Sequence, residues 1–345
     1  MGNLSNTGDQ TAVNADTSDG IRVTIIGAGT IGLSFAALHL FQRQNVEVTV
    51  YDTRPELEAY VYDNLSGEFR FIFLQHGTDK SSASSPDALS KDDIRQLFQS
   101  KHLQLGSSLS EAVKGADIVQ EQGPENEAFK RDIWAEIEGE ASPSCLFWSS
   151  TSGIPASKQA LDMKDKSRLL VVHPYNPPHI MPLLEVVPSP STDPIVVERT
   201  LDYWKNSGRV PVVLGKETVG FVANRLAFAL LREAIHLVNK GVVSPQDVDQ
   251  IVENSMGPRW AVAGPFKSYH AGGGAGGLKS FFENVGGTIQ GCWEDSGKAN
   301  MGEAWQEPLC KQVRETYGER DPVELQQRTD MTKLLISTRD SDKSK

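Results

Sequence analysis

The stretch Ile21-Arg22-Val23-Thr24-Ile25-Ile26-Gly27-Ala28-Gly29-Thr30-Ile31-Gly32 decides how the rest of the chain is read. Residues 21–26 are an apolar, mostly β-branched run ending at a glycine, the pattern of a strand buried on both faces of a parallel sheet. Residues 30–41 then read as a helix. Between them, Gly27, Ala28, Gly29, Thr30, Ile31 and Gly32 satisfy GxGxxG in the strand-to-helix context that gives this motif weight. Glycine lets the backbone turn tightly and approach a pyrophosphate, whose charge is stabilised by the free N–H groups and dipole of the helix N-terminus. Taken alone, the loop is also compatible with a plain strand-to-helix turn.

The second strand, 46–51, runs into Asp52, twenty residues after Gly32. A carboxylate there accepts hydrogen bonds from the adenosine ribose hydroxyls and repels a 2′-phosphate, which points to NAD. Arg54 keeps NADP open, because a guanidinium pairs with phosphate, and Asp52 also suits a helix N-cap. Further strands at 116–119, 144–148 and 169–172 alternate with helices, notably 126–137. A returning strand at 183–187, a helix at 195–204 and a strand at 210–214 close this part. The alternation predicts an α/β chain with a Rossmann-type, doubly wound, mostly parallel sheet. From Gly220 the pattern becomes helical: Phe221, Asn224, Phe228, Leu231, Ile235 and Val238 recur at three- and four-residue spacing. Gly241 suits the C-terminal cap of that helix, and Ser244, Pro245 and Asp247 open another. The division is a disordered tail over 1–20, a dinucleotide-binding domain over 21–215 and an all-helical C-terminal domain over 216–345.

Composition narrows the function classes. The net charge of −11 disfavours a nucleic-acid surface, which draws on clustered Lys and Arg. Cys145, Cys292 and Cys310 are odd in number and scattered, fitting neither a disulfide framework nor a zinc site. They read as reduced thiols of a cytoplasmic protein without a metal. Residues 1–20 lack the basic and apolar regions of a signal peptide, and Asn6 stands where a myristoylation signal has Ser or Thr. No apolar run approaches the roughly 20 residues that span a bilayer, so no membrane partner is expected. Residues 77–90 are polar and Ser-rich and read as a loop.

His173 ends a strand, in His173-Pro174-Tyr175-Asn176-Pro177-Pro178-His179, and strand ends are where doubly wound folds place ligands. Oxidising an alcohol with NAD requires removal of the hydroxyl proton, a task suited to neutral imidazole with its ordinary pKa of about 6.5. The imidazole needs a partner on its other nitrogen. Glu185 is the candidate, because prolines 177, 178 and 182 force a turn and a carboxylate inside Leu183-Leu184-Glu185-Val186-Val187 is costly unless paired. Asn224, in the apolar stripe of its helix, calls for either a packing partner or a substrate. Ser152, in Ser149-Ser150-Thr151-Ser152-Gly153, is placed to contact ligand or backbone.

The loop, Asp52, Ser-Ser-Thr-Ser-Gly, His-Pro-Tyr-Asn-Pro-Pro, Leu-Leu-Glu-Val-Val-Pro and Gly-Phe-Val-Ala-Asn-Arg-Leu together resemble the 3-hydroxyacyl-CoA dehydrogenase superfamily. Residues 172–188 and 242–249, with Gly257-Pro258-Arg259-Trp260, are most similar to its lambda-crystallin and L-gulonate 3-dehydrogenase branch, with L-carnitine dehydrogenases as near neighbours. The likeness spans about 21–290. It implies an NAD-dependent dehydrogenase in which His173 is the general base, Glu185 orients it, and Ser152 and Asn224 bind the reacting oxygen. It further implies Asn176 as a substrate contact, Glu121 near the nicotinamide and a homodimer made through the helical domain. Arg259 stands where the gulonate-like branch has arginine and suits a free carboxylate, though a solvated arginine reads equally simply. Residues 55–105 hold eight acidic against five basic side chains, which disfavours CoA. The run Ala271-Gly272-Gly273-Gly274-Ala275-Gly276-Gly277 departs from the acyl-CoA pattern and reads as a solvent loop or a wall of the substrate pocket. The implied reaction is oxidation of a 3-hydroxy acid, with a 3-hydroxyacyl-CoA as the alternative substrate and a crystallin-like structural role as the alternative class.

Overall fold

Val23, Ile25, Val48 and Val50 are almost wholly buried, as side chains on strands covered on both faces must be. The computed structural model describes residues 20–42, 45–65, 90–319 and 321–343. Most of the expected tail and of the polar loop over 77–90 therefore lies outside the described residues. Among these, one sheet is formed by β1 (Ile21–Ile26), β2 (Val46–Tyr51), β3 (Leu103–Leu105), β4 (Ile118–Glu121), β5 (Leu146–Ser149), β6 (Leu169–Pro174), β7 (Leu183–Pro188) and β8 (Val210–Val213). Their order is β3-β2-β1-β4-β5-β6-β7-β8. Every neighbouring pair is parallel except β6 and β7, which are antiparallel. The strand order reverses between β1 and β4, so a ligand crevice opens beyond their carboxyl ends.

Helix α1 (Thr30–Gln42) follows β1, and Leu33, Ser34, Phe35, Ala36, Ala37, Leu38 and His39 are all buried. Below it Phe35, His39, Trp148, Tyr203 and Trp204 form one aromatic cluster, with ring centroids 5.1–6.5 Å apart. Its polar edges are satisfied at three places: His39 Nδ1 pairs with the Tyr203 hydroxyl at 2.6 Å and Nε2 with Gln120 Oε1 at 2.9 Å, and Trp148 Nε1 donates to Thr200 Oγ1 at 2.9 Å, while Trp204 Nε1 is buried without a partner among the described residues. The strand expected at 116–119 begins later, because helix α2 (Leu109–Val113) ends in a turn in which Gly115 has φ 77°.

The chain divides into two compact units, meeting in sequence at Glu217 and Thr218. The second is helical throughout its described residues, beginning with α3 (Ala223–Asn239) and α4 (Pro245–Asn254). Gly241, at φ 70°, follows the α3 C-cap, and the Ser244 side chain accepts from the Asp247 N–H to cap α4. Among the described residues the stripe along α3 lies at the surface, with Phe228 61% and Leu231 53% exposed. One expectation needs correction: the run 271–277 is not an open loop, since it contains the end of helix Pro265–Gly272, a 3-10 turn Gly274–Gly276 and the first residue of helix Gly277–Asp295. The chain doubles back so closely that a Cβ on Gly273 would fall 1.7 Å from the Gly277 carbonyl oxygen.

Candidate active site

The site builds outward from the loop after β1. A Cβ on Gly32 would fall 1.9 Å from the Gly27 carbonyl oxygen, so helix α1 can approach the loop this closely only with glycine there. A Cβ on Gly29 would meet nothing within 4 Å. A loop packed on its inner side and open on its outer side, at the head of a long helix, fits a pyrophosphate. Asp52, just beyond β2, accepts from the Ala28 N–H at 2.7 Å and from the Arg54 N–H at 2.9 Å. Burial alone would raise its carboxyl; those two N–H groups and the Arg54 guanidinium outweigh it and hold Asp52 below the usual carboxylate range.

Glu121 differs from its expected position. It lies within β4, is fully buried, and accepts Lys130 Nζ on both oxygens at 2.8 Å, the Gly123 N–H at 2.7 Å and the Ser149 hydroxyl at 3.1 Å. These donors engage both carboxylate oxygens from within the protein and make Glu121 a strut joining β4, β5 and the helix Glu127–Glu140. Lys130 was not anticipated, although its position in the buried series Lys130, Trp134, Ile137 carries the signal. Glu125 was not anticipated either. Its Oε1 accepts from the Thr151 hydroxyl at 2.5 Å, the Ser152 N–H at 3.1 Å, the Ser152 hydroxyl at 3.2 Å and the Gly153 N–H at 3.1 Å, so one carboxylate oxygen gathers the loop after β5.

The antiparallel pairing of β6 with β7 puts His173 directly opposite Glu185. Opposed residues share a sheet face with Cβ atoms about 5 Å apart, within reach of a short side-chain bond. Nδ1 of His173 lies 2.8 Å from Glu185 Oε2, and both residues are buried. The connection between the strands is tied down by His179, whose N–H donates to Ser34 Oγ at 3.0 Å and whose Nδ1 lies 2.9 Å from the same oxygen, and by Arg209, which donates to the Pro178 carbonyl at 3.2 Å. Asn176, on this connection, is exposed. Asn224 is half-buried in the first turn of α3, and Arg259 is exposed on helix Met256–Val262 without a side-chain partner among the described residues. Cys145 is no nucleophile, because burial pushes its thiol up to about 12.

The family description "3-hydroxyacyl-CoA dehydrogenase, NAD binding domain" matches residues 22–218, and its C-terminal domain matches 220–307. The chain belongs to the 3-hydroxyacyl-CoA dehydrogenase family. Among curated relatives, a 3-hydroxyacyl-CoA dehydrogenase of Gibberella moniliformis is 36% identical over 79% of each chain. An L-carnitine dehydrogenase of Oceanobacillus iheyensis is 32% identical over 79% of this chain and 82% of its own. The lambda-crystallin of Oryctolagus cuniculus is 36% identical over 72% and 73%. Among solved structures, an NAD+-dependent 5-formyl-3-hydroxy-2-methylpyridine 4-carboxylic acid 5-dehydrogenase superimposes with a TM-score of 0.73 at 27% identity, covering 93% of this chain and 97% of that one. This member of the 3-hydroxyacyl-CoA dehydrogenase family is thus an NAD-dependent oxidoreductase acting on CH–OH groups.

Removing one partner of the buried Glu121–Lys130 pair leaves an uncompensated charge. Lys130→Met is expected to destabilise the protein by about 3–5 kcal/mol, and the double replacement Glu121→Leu with Lys130→Met to recover part of that loss. Urea denaturation checks it; a single variant as stable as wild type contradicts the strut.

Proposed function

We propose that the enzyme oxidises the secondary alcohol of a free 3-hydroxy acid, L-gulonate or a related compound, to the 3-keto acid. The observation that carries the chemistry is the His173–Glu185 pair at the carboxyl end of the sheet that bears the dinucleotide loop. With Nδ1 engaged by Glu185, Nε2 is the nitrogen that takes the alcohol proton. The hydroxyl proton passes to Nε2, the O–H electron pair becomes the second C–O bond of the carbonyl, and the carbinol hydrogen leaves carbon with its bonding pair as hydride. NAD, bound through Gly27–Gly32 and Asp52, supplies the hydride acceptor. Glu185 stabilises the resulting imidazolium, and by resemblance Ser152 contacts the reacting oxygen, its hydroxyl turning to it from Glu125. By resemblance alone, Asn224 and Asn176 are substrate contacts and Arg259 pairs with the substrate carboxylate.

Support for a free acid comes from Arg259 and from the acidic balance of residues 55–105. The acyl-CoA reading is kept because the relative from Gibberella moniliformis bears that name. Lambda-crystallin similarity raises a structural role, against which stand the complete dinucleotide loop and the His173–Glu185 pair. The exposed Phe228 and Leu231, with Leu226 also exposed on α3, fit a homodimer in which a second copy covers this helix. Free thiols at all three cysteines fit a cytoplasmic location.

His173→Ala is expected to lower kcat by about two to four orders of magnitude with NADH affinity retained in a fluorescence titration; near-normal turnover would falsify its role as base. In a panel of free 3-hydroxy acids and their CoA esters with NAD, free acids are expected to turn over, and activity confined to the esters removes the Arg259 assignment. Sedimentation equilibrium is expected to give twice the chain mass, and Phe228→Glu with Leu231→Glu to give monomers; a monomeric wild type overturns the dimer.

A further inference from the structure

Ser34 stands two residues beyond Gly32 in α1, and His179 stands six residues beyond His173 on the connection between β6 and β7. Both are buried, Ser34 completely. The His179 N–H donates to Ser34 Oγ at 3.0 Å, and the imidazole Nδ1 lies 2.9 Å from the same oxygen. A serine inside a helix ordinarily gives its hydroxyl proton to the carbonyl four residues back. Ser34 makes no such bond among the described residues, so Nδ1 receives that proton and the ring's own proton sits on Nε2. Each side of the pair is stiff. Gly32 is packed so closely on the Gly27 carbonyl that the loop cannot shift without carrying α1. On the other side the Ile180 and Met181 N–H groups close a turn on the Pro177 carbonyl at 3.0 and 2.9 Å, and Arg209 holds the Pro178 carbonyl at 3.2 Å.

We propose that Ser34 and His179 are positioning residues of the reaction: the pair passes occupation of the dinucleotide loop to the chain that carries His173 and Asn176, so that a filled loop sets the catalytic base. The inference rests on reading His173 as that base. Two bonds between one hydroxyl and one residue, one to its backbone and one to its ring, fix both the height and the rotation of the connection on α1, which a single contact does not. Energetic coupling between sites is carried by contiguous packed and hydrogen-bonded groups. Here that path is short: from Gly32 to Ser34, across to His179, and back along the chain to Asn176 and His173. A displacement of about 1 Å at a reacting group costs on the order of a hundredfold in rate, so a small shift of α1 is enough to matter.

The test uses ADP-ribose, which fills the dinucleotide loop and lacks the nicotinamide that would touch the base directly. NMR follows the full-length protein with isotopically labelled imidazole nitrogens, the His173 signal being identified by its loss in His173→Gln. In wild type, ADP-ribose is expected to shift the His173 ring resonances. Ser34→Ala and His179→Leu are expected to bind ADP-ribose within about threefold of wild type, to lose that shift, and to lower kcat on the fastest substrate of the acid and ester panel by about ten- to hundredfold. His179→Asn, whose side-chain oxygen stands where Nδ1 stood, is expected to restore both shift and turnover. Thermal melting establishes that each variant is folded, and should His179→Leu not fold, Ser34→Ala and His179→Asn carry the comparison. A wild-type His173 signal indifferent to bound ADP-ribose overturns the coupling, as does a full shift in Ser34→Ala. Near-normal turnover of His173→Ala with the shifts as expected removes the reading of His173 as base instead, a result distinguishable from both.

Discussion

A carboxylate buried between leucines and valines has to be paired, and the register of β6 against β7 supplies the partner. Glu185 meets His173 because the two strands are antiparallel and these residues stand opposite each other. A slip of one residue would turn Glu185 to the other face of the sheet and leave a charge without compensation. The connection is held at its middle: His179 binds Ser34 on the helix that follows the dinucleotide loop, and Arg209 holds the Pro178 carbonyl. The helix that presents the cofactor loop therefore also anchors the chain leaving His173.

The same logic recurs along the carboxyl edge of the sheet. Asp52 after β2, Glu121 ending β4 and Glu125 beyond it each collect backbone N–H groups from a neighbouring loop. Glu121, wholly inside, needs the full ammonium of Lys130; Asp52 and Glu125, closer to solvent, are satisfied by amides, hydroxyls and one loose arginine. Acidic residues thus hold the strand ends in place, and their burial decides how strong a partner each requires.

Much of this was legible in the sequence. Gly27 and Gly32 stand where the loop's geometry requires glycine, and a glutamate inside Leu-Leu-Glu-Val-Val announces a buried partner. Ser244 and Gly241 mark helix ends through local capping chemistry. What escaped depends on side chains from distant elements. Lys130 is seen as an interior cation only once its helix face is known to meet Glu121, and Glu125 acquires its role from a loop twenty-six to twenty-eight residues away. The glycine run 271–277 reads as loose because glycine permits open chain, yet here it permits close packing of two helices. The stripe on α3 is a correct helix signal that stays exposed among the described residues.

The central claim is that Glu185 acts through the imidazole of His173. A double-mutant cycle on kcat with His173→Ala and Glu185→Gln tests it most directly. The account predicts that the double variant turns over no more slowly than His173→Ala alone, since without the imidazole Glu185 has nothing to orient. Losses that multiply, with the double variant slower by the product of the two single effects, would contradict it.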